Sequence, residues 1–270
     1  MNTNAKETKP LSLSLEFSHL ISDISEKEME FFADNNIEIL HDFRVNIRKL
    51  RTWLQIFAMA GYCVKKIQKH LVRCHLIGDE LRNFDVLLHW MKKNSSLISS
   101  ESIQTVKYKR KKLKKLFIKE LINQNVIQKL RILGRDFLPQ LAGIEKNDFQ
   151  PYTKRYIDEK NQKVYQLLPN AADDLNQLHE IRKLLKKVRY ALHLMSIIDA
   201  QKIDTLREFQ DILGYINDRR VWIDLLQSKL SMIKEAPALE KSFQEEIHEK
   251  LNEFRAYIAS KDQKNAKISS

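Results

Sequence analysis

Glycine and proline are scarce in this sequence, with five of each among 270 residues. Because both residues interrupt helices, their scarcity, together with abundant leucine, isoleucine, lysine and glutamate, predicts an all-α protein. The two cysteines, Cys63 and Cys74, are too few for a disulfide framework and indicate a reducing compartment. No apolar run approaches the roughly 20 residues of a membrane span, and the Leu-Ser-Leu-Ser-Leu stretch that follows residues 1–10 is too short and polar for a signal-peptide core. We therefore expect a cytoplasmic protein that does not enter a membrane.

The sequence carries an excess of positive charge, with 47 Lys and Arg against 35 Asp and Glu and a formal net charge of +12. An excess of this size favours an anionic partner. It is equally typical of a lysine-rich proteome, so bulk charge alone does not decide between function and background. Clustering of the charge on particular helix faces is what would indicate a binding site.

Such clustering occurs in residues 41–57, where two opposite faces of one helix can be distinguished. Apolar residues follow the i, i+3, i+4, i+7 spacing of a buried face: Phe43, Ile47, Leu50, Trp53, Leu54 and Phe57. At about 100° per residue, four basic residues fall within an arc of roughly 80° on the opposite side. These are His41, Arg44, Arg48 and Arg51.

The same pattern recurs in residues 179–195. When the segments are aligned on their histidines, basic or apolar residues match at most of the positions that define the pattern. The matched pairs are His41/His179, Arg44/Arg182, Arg48/Lys186, Lys49/Lys187, Leu50/Val188, Arg51/Arg189 and Leu54/Leu192. Agreement at this many positions predicts an internal duplication.

Both segments, H-x-x-R-x-x-x-[RK]-[RK]-[LV]-R-x-x-L, resemble the signature helix of the CHAD family (conserved histidine α-helical domain). We call them the signature helices. A second family element follows the second copy as Leu213-Gly214, Asn217-Asp218 and Val221. Its counterpart in the first copy is residues 82–86, where Asn83 stands in place of the usual Asp. The resemblance extends over about residues 15–260.

The order of helices also suggests two similar halves. Periodicity and breakers predict helices at about 15–33, 41–60, 63–93, 101–122, 125–141, 152–168, 173–198, 201–230 and 237–259, with Gly61 ending the second. We expect a disordered N-terminus (1–12), a first half (13–143), a second half (144–260) and a loose tail (261–270). Each half is predicted to resemble a four-helix bundle, and the two to be related by a pseudo-two-fold axis. The resemblance implies the same arrangement, with a basic surface between the halves.

The resemblance implies that the protein binds inorganic polyphosphate and associates with polyphosphate granules, without catalysis and without a cofactor. Arginine suits such a ligand because its planar guanidinium offers paired donors to phosphate oxygens. We expect a basic groove between the two repeats, in which Arg82 either faces the ligand or pairs with Asp85. Asp211 and Asp218 are expected to be internal partners of the arginines. The predicted polyphosphate-binding residues are His41, Arg44, Arg48, Lys49, Arg51, Arg82, His179, Arg182, Lys183, Lys186 and Arg189.

Two alternatives remain open at this point. Binding to the RNA or DNA backbone ranks second, because single-strand binders interleave aromatic with basic residues and only Tyr190 lies near a basic face. A metal-dependent phosphoanhydride hydrolase ranks third, since no P-loop and no set of ligands at a familiar metal spacing is found. The lysine cluster at 107–115 surrounds its helix and is interpreted as solvated.

Overall fold

All regular elements in the described part of the chain are helices, as the composition predicted. The computed structural model describes residues 12–34, 36–195 and 200–268. Along these ranges the α-helices are α1 Leu13–Ala33, α2 Ile37–Met59, α3 Lys65–Lys93, α4 Ser100–Gln124, α5 Val126–Phe137, α6 Gln150–Leu167, α7 Leu175–Leu192, α8 Ala200–Lys229 and α9 Ala236–Ile268. Short 3-10 segments occupy Leu138–Leu141, Lys146–Phe149 and Leu168–Asn170. The all-α class is confirmed.

The ends of α2 follow the expected stop and start signals. The side-chain oxygen of Asn36 accepts a hydrogen bond from the backbone N of Glu38 at 3.0 Å, which caps the first turn. After the last turn, Gly61 has a φ of 95°, a left-handed conformation that glycine adopts without strain. The predicted stop at Gly61 is therefore confirmed.

Two helices differ from the predicted limits by more than four residues at one end. The helix α7 ends at Leu192 rather than 198, because the chain tightens there and Leu194 N bonds to Ala191 O at 2.9 Å. The helix α9 continues to Ile268, past the predicted end at 259. Of the predicted disordered segment, residues 1–11 lie outside the described residues, as do residues 269–270 of the predicted tail.

The chain divides into two compact units. The first contains residues 12–34, 36–75, 121–156 and 190–195, and the second contains residues 76–120, 157–189 and 200–268. Each unit draws on helices from both sides of residue 143, so the units do not coincide with the predicted halves. The duplication and its pseudo-two-fold axis stay predictions.

Aromatic side chains form the centre of the first unit. The Phe57 ring lies 5.6 Å from Phe17, 5.3 Å from Phe137 and 4.8 Å from Phe149, measured between centroids. Such tilted and edge-on pairs stabilise beyond the area that they bury. They fasten α2 against α1, α5 and the segment before α6.

The second unit contains two apolar clusters that share the long helices α8 and α9. One cluster packs these helices against α3 and α4 and centres on Trp90, Trp222 and Phe243. The other packs them against α6 and α7 and includes Ile216 and Phe254. Because α8 contributes residues to both clusters, its apolar side changes along its length. Part of its remaining surface faces α7.

A buried ion pair links α3 to α4 in the second unit. Arg110 Nε donates to Asp85 Oδ1 at 2.7 Å, and the side chain of Asp85 has no exposed surface. Arg110 belongs to the lysine-rich cluster of α4 that was interpreted as solvated, but it points inward. Its position is explained by the charge of Asp85, which needs a partner when it is removed from water.

We expect Asp85→Ala to lower the free energy of unfolding by about 3–5 kcal/mol, because it leaves the Arg110 guanidinium buried without that carboxylate. Denaturant unfolding measures the change. The double variant Asp85→Leu with Arg110→Met removes both charges and should lose much less. A loss under about 1 kcal/mol in the single variant would show that the pair does not stabilise this unit.

A buried acid lies in the first unit, on α1. Glu28 is 3 % exposed, and its Oε2 has no hydrogen-bond partner among the described residues. Burial raises the pKa of Glu28 from 4.5 to about 7. The folded protein therefore binds this proton more tightly than the unfolded chain does. Stability should fall as the pH rises from 4.5 to 7, and the full penalty of about 3 kcal/mol should apply above 7.

We expect Glu28→Gln to match the wild-type free energy of unfolding near pH 5 and to exceed it at pH 8.5, because the amide cannot ionise. Urea titrations at the two pH values measure the difference. The control is Glu26→Gln, which removes an exposed carboxylate from the same helix and should change stability by less than about 1 kcal/mol. Parallel pH profiles for wild type and Glu28→Gln would contradict the assignment.

Candidate functional site

The apolar face of α2 is buried as its periodicity predicted. Ile47, Leu50, Trp53 and Leu54 have no exposed surface, and Phe43 retains only 2 %. Full burial of side chains of this size stabilises by about 1.5–3 kcal/mol each. The opposite, basic face is therefore presented by a firmly anchored helix.

The basic residues of α2 are partly or largely buried. Arg44 keeps 7 % of its surface exposed, and His41, Arg48 and Arg51 are half-buried. A row of cations on a merely solvated helix face would be far more exposed. Removing charged groups from water costs free energy, which an opposite charge offsets. The burial of these residues distinguishes the basic face of α2 from a freely solvated helix face.

In both signature segments, buried residues follow the last arginine. On α2, Thr52 and Ile56 are buried at 4 % and 0 %, and the aligned residues of the second copy, Tyr190 and Leu194, are also buried at 4 % and 0 %. The Trp53 Nε1 donates to the backbone O of Tyr190 at 3.2 Å. The contact between α2 and the last turn of α7, which begins at Tyr190, thus lies within the first unit.

Lys49 points away from the arginines of α2. Its Nζ lies 4.8 Å from the centre of the Trp53 ring. Burial lowers the pKa of Lys49, the carboxylates of Glu16 and Asp23 on α1 raise it, and Lys146 lowers it. These neighbours place Lys49 beside α1, so its contacts are structural, and its predicted role in ligand binding stays a prediction.

The basic residues of α7 repeat the pattern of α2. Three of them are half-buried, namely Arg182, Lys186 and Arg189. Lys183 is exposed and forms an ion pair with Glu180 on the same helix. An exposed pair of this kind contributes little to stability, so Lys183 can exchange Glu180 for another anion.

One of the two carboxylates expected to partner the arginines does so. The Oδ1 of Asp218 on α8 lies 3.9 Å from Arg182 Nη2, and the side chain of Asp218 is 39 % exposed. Asp211 is exposed, which does not fit an internal partner. The contact of Asp218 is too long for a hydrogen bond, so it is a weak ion pair.

His179 is held in one orientation by α8. Its Nδ1 lies 2.6 Å from Asn217 Oδ1, so the neutral imidazole donates from Nδ1 and keeps a lone pair on Nε2. Burial lowers the pKa of His179, the hydrogen bond with Asn217 raises it, and Arg220, Lys183 and Arg182 lower it. The ring is therefore mostly neutral at pH 7, and an anion bound beside it would raise its pKa.

Arg220 is a candidate site residue that the sequence analysis did not identify. Its Nη1 donates to Asn176 Oδ1 on α7 at 2.9 Å. Among the charges around His179, that of Arg220 lowers the pKa of the imidazole most. Its Nε is buried and has no hydrogen-bond partner within the described ranges. Arg220 therefore adds a cation near the start of the basic face of α7.

A signal for Arg220 was present in the sequence. It follows Asn217 by three residues, which puts both on the same side of α8. Arg219 lies about 100° away, donates to Glu246 Oε2 at 2.8 Å and stacks over Tyr215. The two adjacent arginines thus have different surroundings, since Arg220 contacts α7 and Arg219 contacts α9.

Arg82 lies on α3, in the second unit, and is half-buried. The Asp85 carboxylate, its predicted alternative partner, accepts a hydrogen bond from Arg110. The part of Arg82 in ligand binding stays a prediction.

The described residues form neither a metal-binding cluster nor a membrane-spanning helix. Among them, no three His, Cys, Asp or Glu side chains are grouped so that they could hold a metal ion. None of the helices they form combines the length and apolar character needed to cross a membrane.

Comparison with known proteins supports the likeness seen in the signature helices. The family profile of the CHAD domain matches residues 17–227, a range that contains both signature helices and Asn217-Asp218. A crystal structure of the CHAD domain from the plant Ricinus communis superposes with a TM-score of 0.68. The two chains are 20 % identical, and the match covers 89 % of this chain and 92 % of that one, so the likeness concerns the fold. No curated protein matches the sequence significantly.

The surroundings of His179 can be tested with two substitutions that should shift its pKa in opposite directions. Asn217→Ala should lower the pKa of His179, because the neutral form loses less than the charged form when the acceptor is removed. Arg220→Gln should raise the pKa, because a nearby positive charge is lost. Histidine NMR titrations measure both shifts, with the exposed His248 as the internal reference. Shifts of the same sign in both variants would contradict the described geometry.

Proposed function

The chain belongs to the CHAD domain family, and from this premise we propose that it binds inorganic polyphosphate through the basic faces of α2 and α7, without catalysing a reaction. The observation that carries the proposal is the pair of aligned rows of half-buried cations. Like charges at i+3 and i+4 destabilise an isolated helix by a few tenths of a kcal/mol per pair. A polyanion lying along the rows would offset both this repulsion and the loss of hydration.

The length of a row suits a chain of phosphates. His41 and Arg51 are separated by about 15 Å along the axis of α2, at 1.5 Å per residue. A ligand with a charge on every unit can engage several of these cations at once. Arg48 is half-buried within this row, and a guanidinium offers paired donors to phosphate oxygens.

Aromatic burial favours polyphosphate over nucleic acid. Proteins that bind single-stranded nucleic acids stack the bases on exposed aromatic rings. Tyr190, the aromatic residue nearest a basic face, is 4 % exposed, and Trp53, Phe43 and Phe57 belong to the core. Within the described parts of α2 and α7, no aromatic ring is exposed to a base. Polyphosphate requires only donors and positive charge.

The proposal is tested by neutralising the rows. The variant Arg48→Gln, Arg51→Gln, Arg182→Gln and Arg189→Gln should lose affinity for fluorescent polyphosphate by at least about 100-fold at 150 mM salt, because it removes four charge-assisted contacts. Circular dichroism should show unchanged helicity. Fluorescence anisotropy measures the affinity, with single-stranded RNA and duplex DNA as competitors. Stronger competition by either nucleic acid would favour that alternative.

A matched control separates the site from bulk charge. The exposed face of α4 carries four lysines that form no ion pair with the described residues, namely Lys111, Lys112, Lys115 and Lys119. Changing all four to Gln removes the same net charge and should alter the affinity by less than about fivefold at this salt concentration. Equal losses in the two variants would contradict the site. Incubation with Mg²⁺ and a chain-length readout tests the hydrolase alternative.

A further inference from the structure

Gly214 occupies a position in α8 where glycine has no evident structural purpose. It lies in the interior of a 30-residue helix, where glycine is less favourable than alanine. Its φ is not positive, unlike those of Gly61 and Gly143. A Cβ added to Gly214 would meet nothing within 4 Å. Neither backbone conformation nor close packing between helices accounts for the missing side chain.

The side of α8 on which Gly214 lies faces the basic face of α7. Four residues before it, Gln210 Nε2 donates to Leu185 O at 3.1 Å, and three residues after it, Asn217 Oδ1 lies 2.6 Å from His179 Nδ1. Residues at these spacings share one side of a helix. Gly214 therefore lies between the two contacts that join α8 to α7.

The two contacts also fix what lies opposite Gly214. Because α7 and α8 run antiparallel, the position halfway between Leu185 and His179 is that of Arg182. The approach of Asp218 Oδ1 to Arg182 Nη2, at 3.9 Å, agrees with this register, since Asp218 is one turn beyond Gly214. The open space at Gly214 is thus level with Arg182 and adjacent to His179.

We propose that Gly214 is a binding determinant, whose missing side chain leaves room for a phosphoryl group of the polyanion beside Arg182 and His179. This inference rests on the proposed function and adds a residue that carries no charge. A phosphoryl group must approach closely to accept hydrogen bonds from a guanidinium, at about 2.7–2.9 Å. A side chain projecting from α8 would occupy the volume through which its oxygens reach Arg182.

The chemistry of the surroundings fits a phosphoryl group. Arg182, Lys183 and Arg220 supply the positive charges that act on His179. The imidazole Nε2 is the nitrogen not engaged by Asn217. It becomes a second donor when the ring takes up a proton, and a neighbouring phosphate favours that proton. The space beside Gly214 is therefore lined by cationic donors and by the His179 ring, which gains a second donor when a phosphate binds.

Gly214→Ala and Gly214→Leu test the proposal because stability and binding should move in opposite directions. Alanine fits without a clash and improves helix propensity, so the melting temperature should be unchanged or rise by a few degrees. Affinity for polyphosphate should fall several-fold with alanine and more than about tenfold with leucine. The polyphosphate-induced change in the His179 NMR signal should diminish in the same order.

The matched control is Gly134→Ala in α5. There the added Cβ would make ordinary contacts with Ile21 at 3.7 Å and Leu138 at 3.8 Å, within the first unit. This variant should bind polyphosphate like the wild type. If Gly214→Leu loses helicity, Gly214→Ala decides the question.

The possible failures can be told apart. Wild-type affinity in a folded Gly214→Leu variant, or in Gly214→Ala when leucine does not fold, overturns the role of Gly214 alone. Absence of polyphosphate binding by the wild type overturns the proposed function, and the inference with it. Equal losses in the Gly214→Ala and Gly134→Ala variants would indicate a general effect on the fold and also overturn it.

Discussion

The central constraint on this protein is that like charges are held in rows while partly removed from water. On α2 this is possible because the other side of the helix is fixed by fully buried residues such as Trp53 and Leu50. The apolar burial outweighs the repulsion between neighbouring guanidiniums, which is small per pair. The cations are consequently presented in fixed positions. A ligand would not have to bear the entropic cost of ordering long, flexible side chains.

The helix α8 links the core of the second unit to the basic face of α7. Its apolar sides contribute Ile216 and Trp222 to two clusters. The side facing α7 supplies Asn217 to His179 and Asp218 to Arg182. A single helix thereby sets the tautomer of the histidine and places a carboxylate near the arginine. The family motif around residues 213–221 acquires a physical meaning from this arrangement, since its polar members contact the signature helix and Leu213 is buried in the core.

Net charge is a poor guide to the site, because many cations of this chain already have other contacts. Arg110 is bonded to Asp85, Arg219 to Glu246, and Lys49 lies beside acids of α1. Each of these adds to the formal charge, yet its local environment is structural. What distinguishes the rows on α2 and α7 is their repetition at aligned positions with similar burial. Specific recognition of a polyanion would depend on that geometry more than on the total of +12.

The helical class, most helix limits, the buried face of α2 and the stop at Gly61 could be predicted, because they follow from periodicity and from backbone preferences within a few residues. The amino-acid pattern also revealed the two signature helices and Asp218 as a neighbour of the arginines. The folded structure was needed to place Lys49 beside α1 and Arg220 against α7, and to show that α7 ends at Leu192. It also produced units that cross the predicted boundary near residue 143. These outcomes depend on contacts between residues far apart in the chain, and a local sequence pattern carries no information about such contacts.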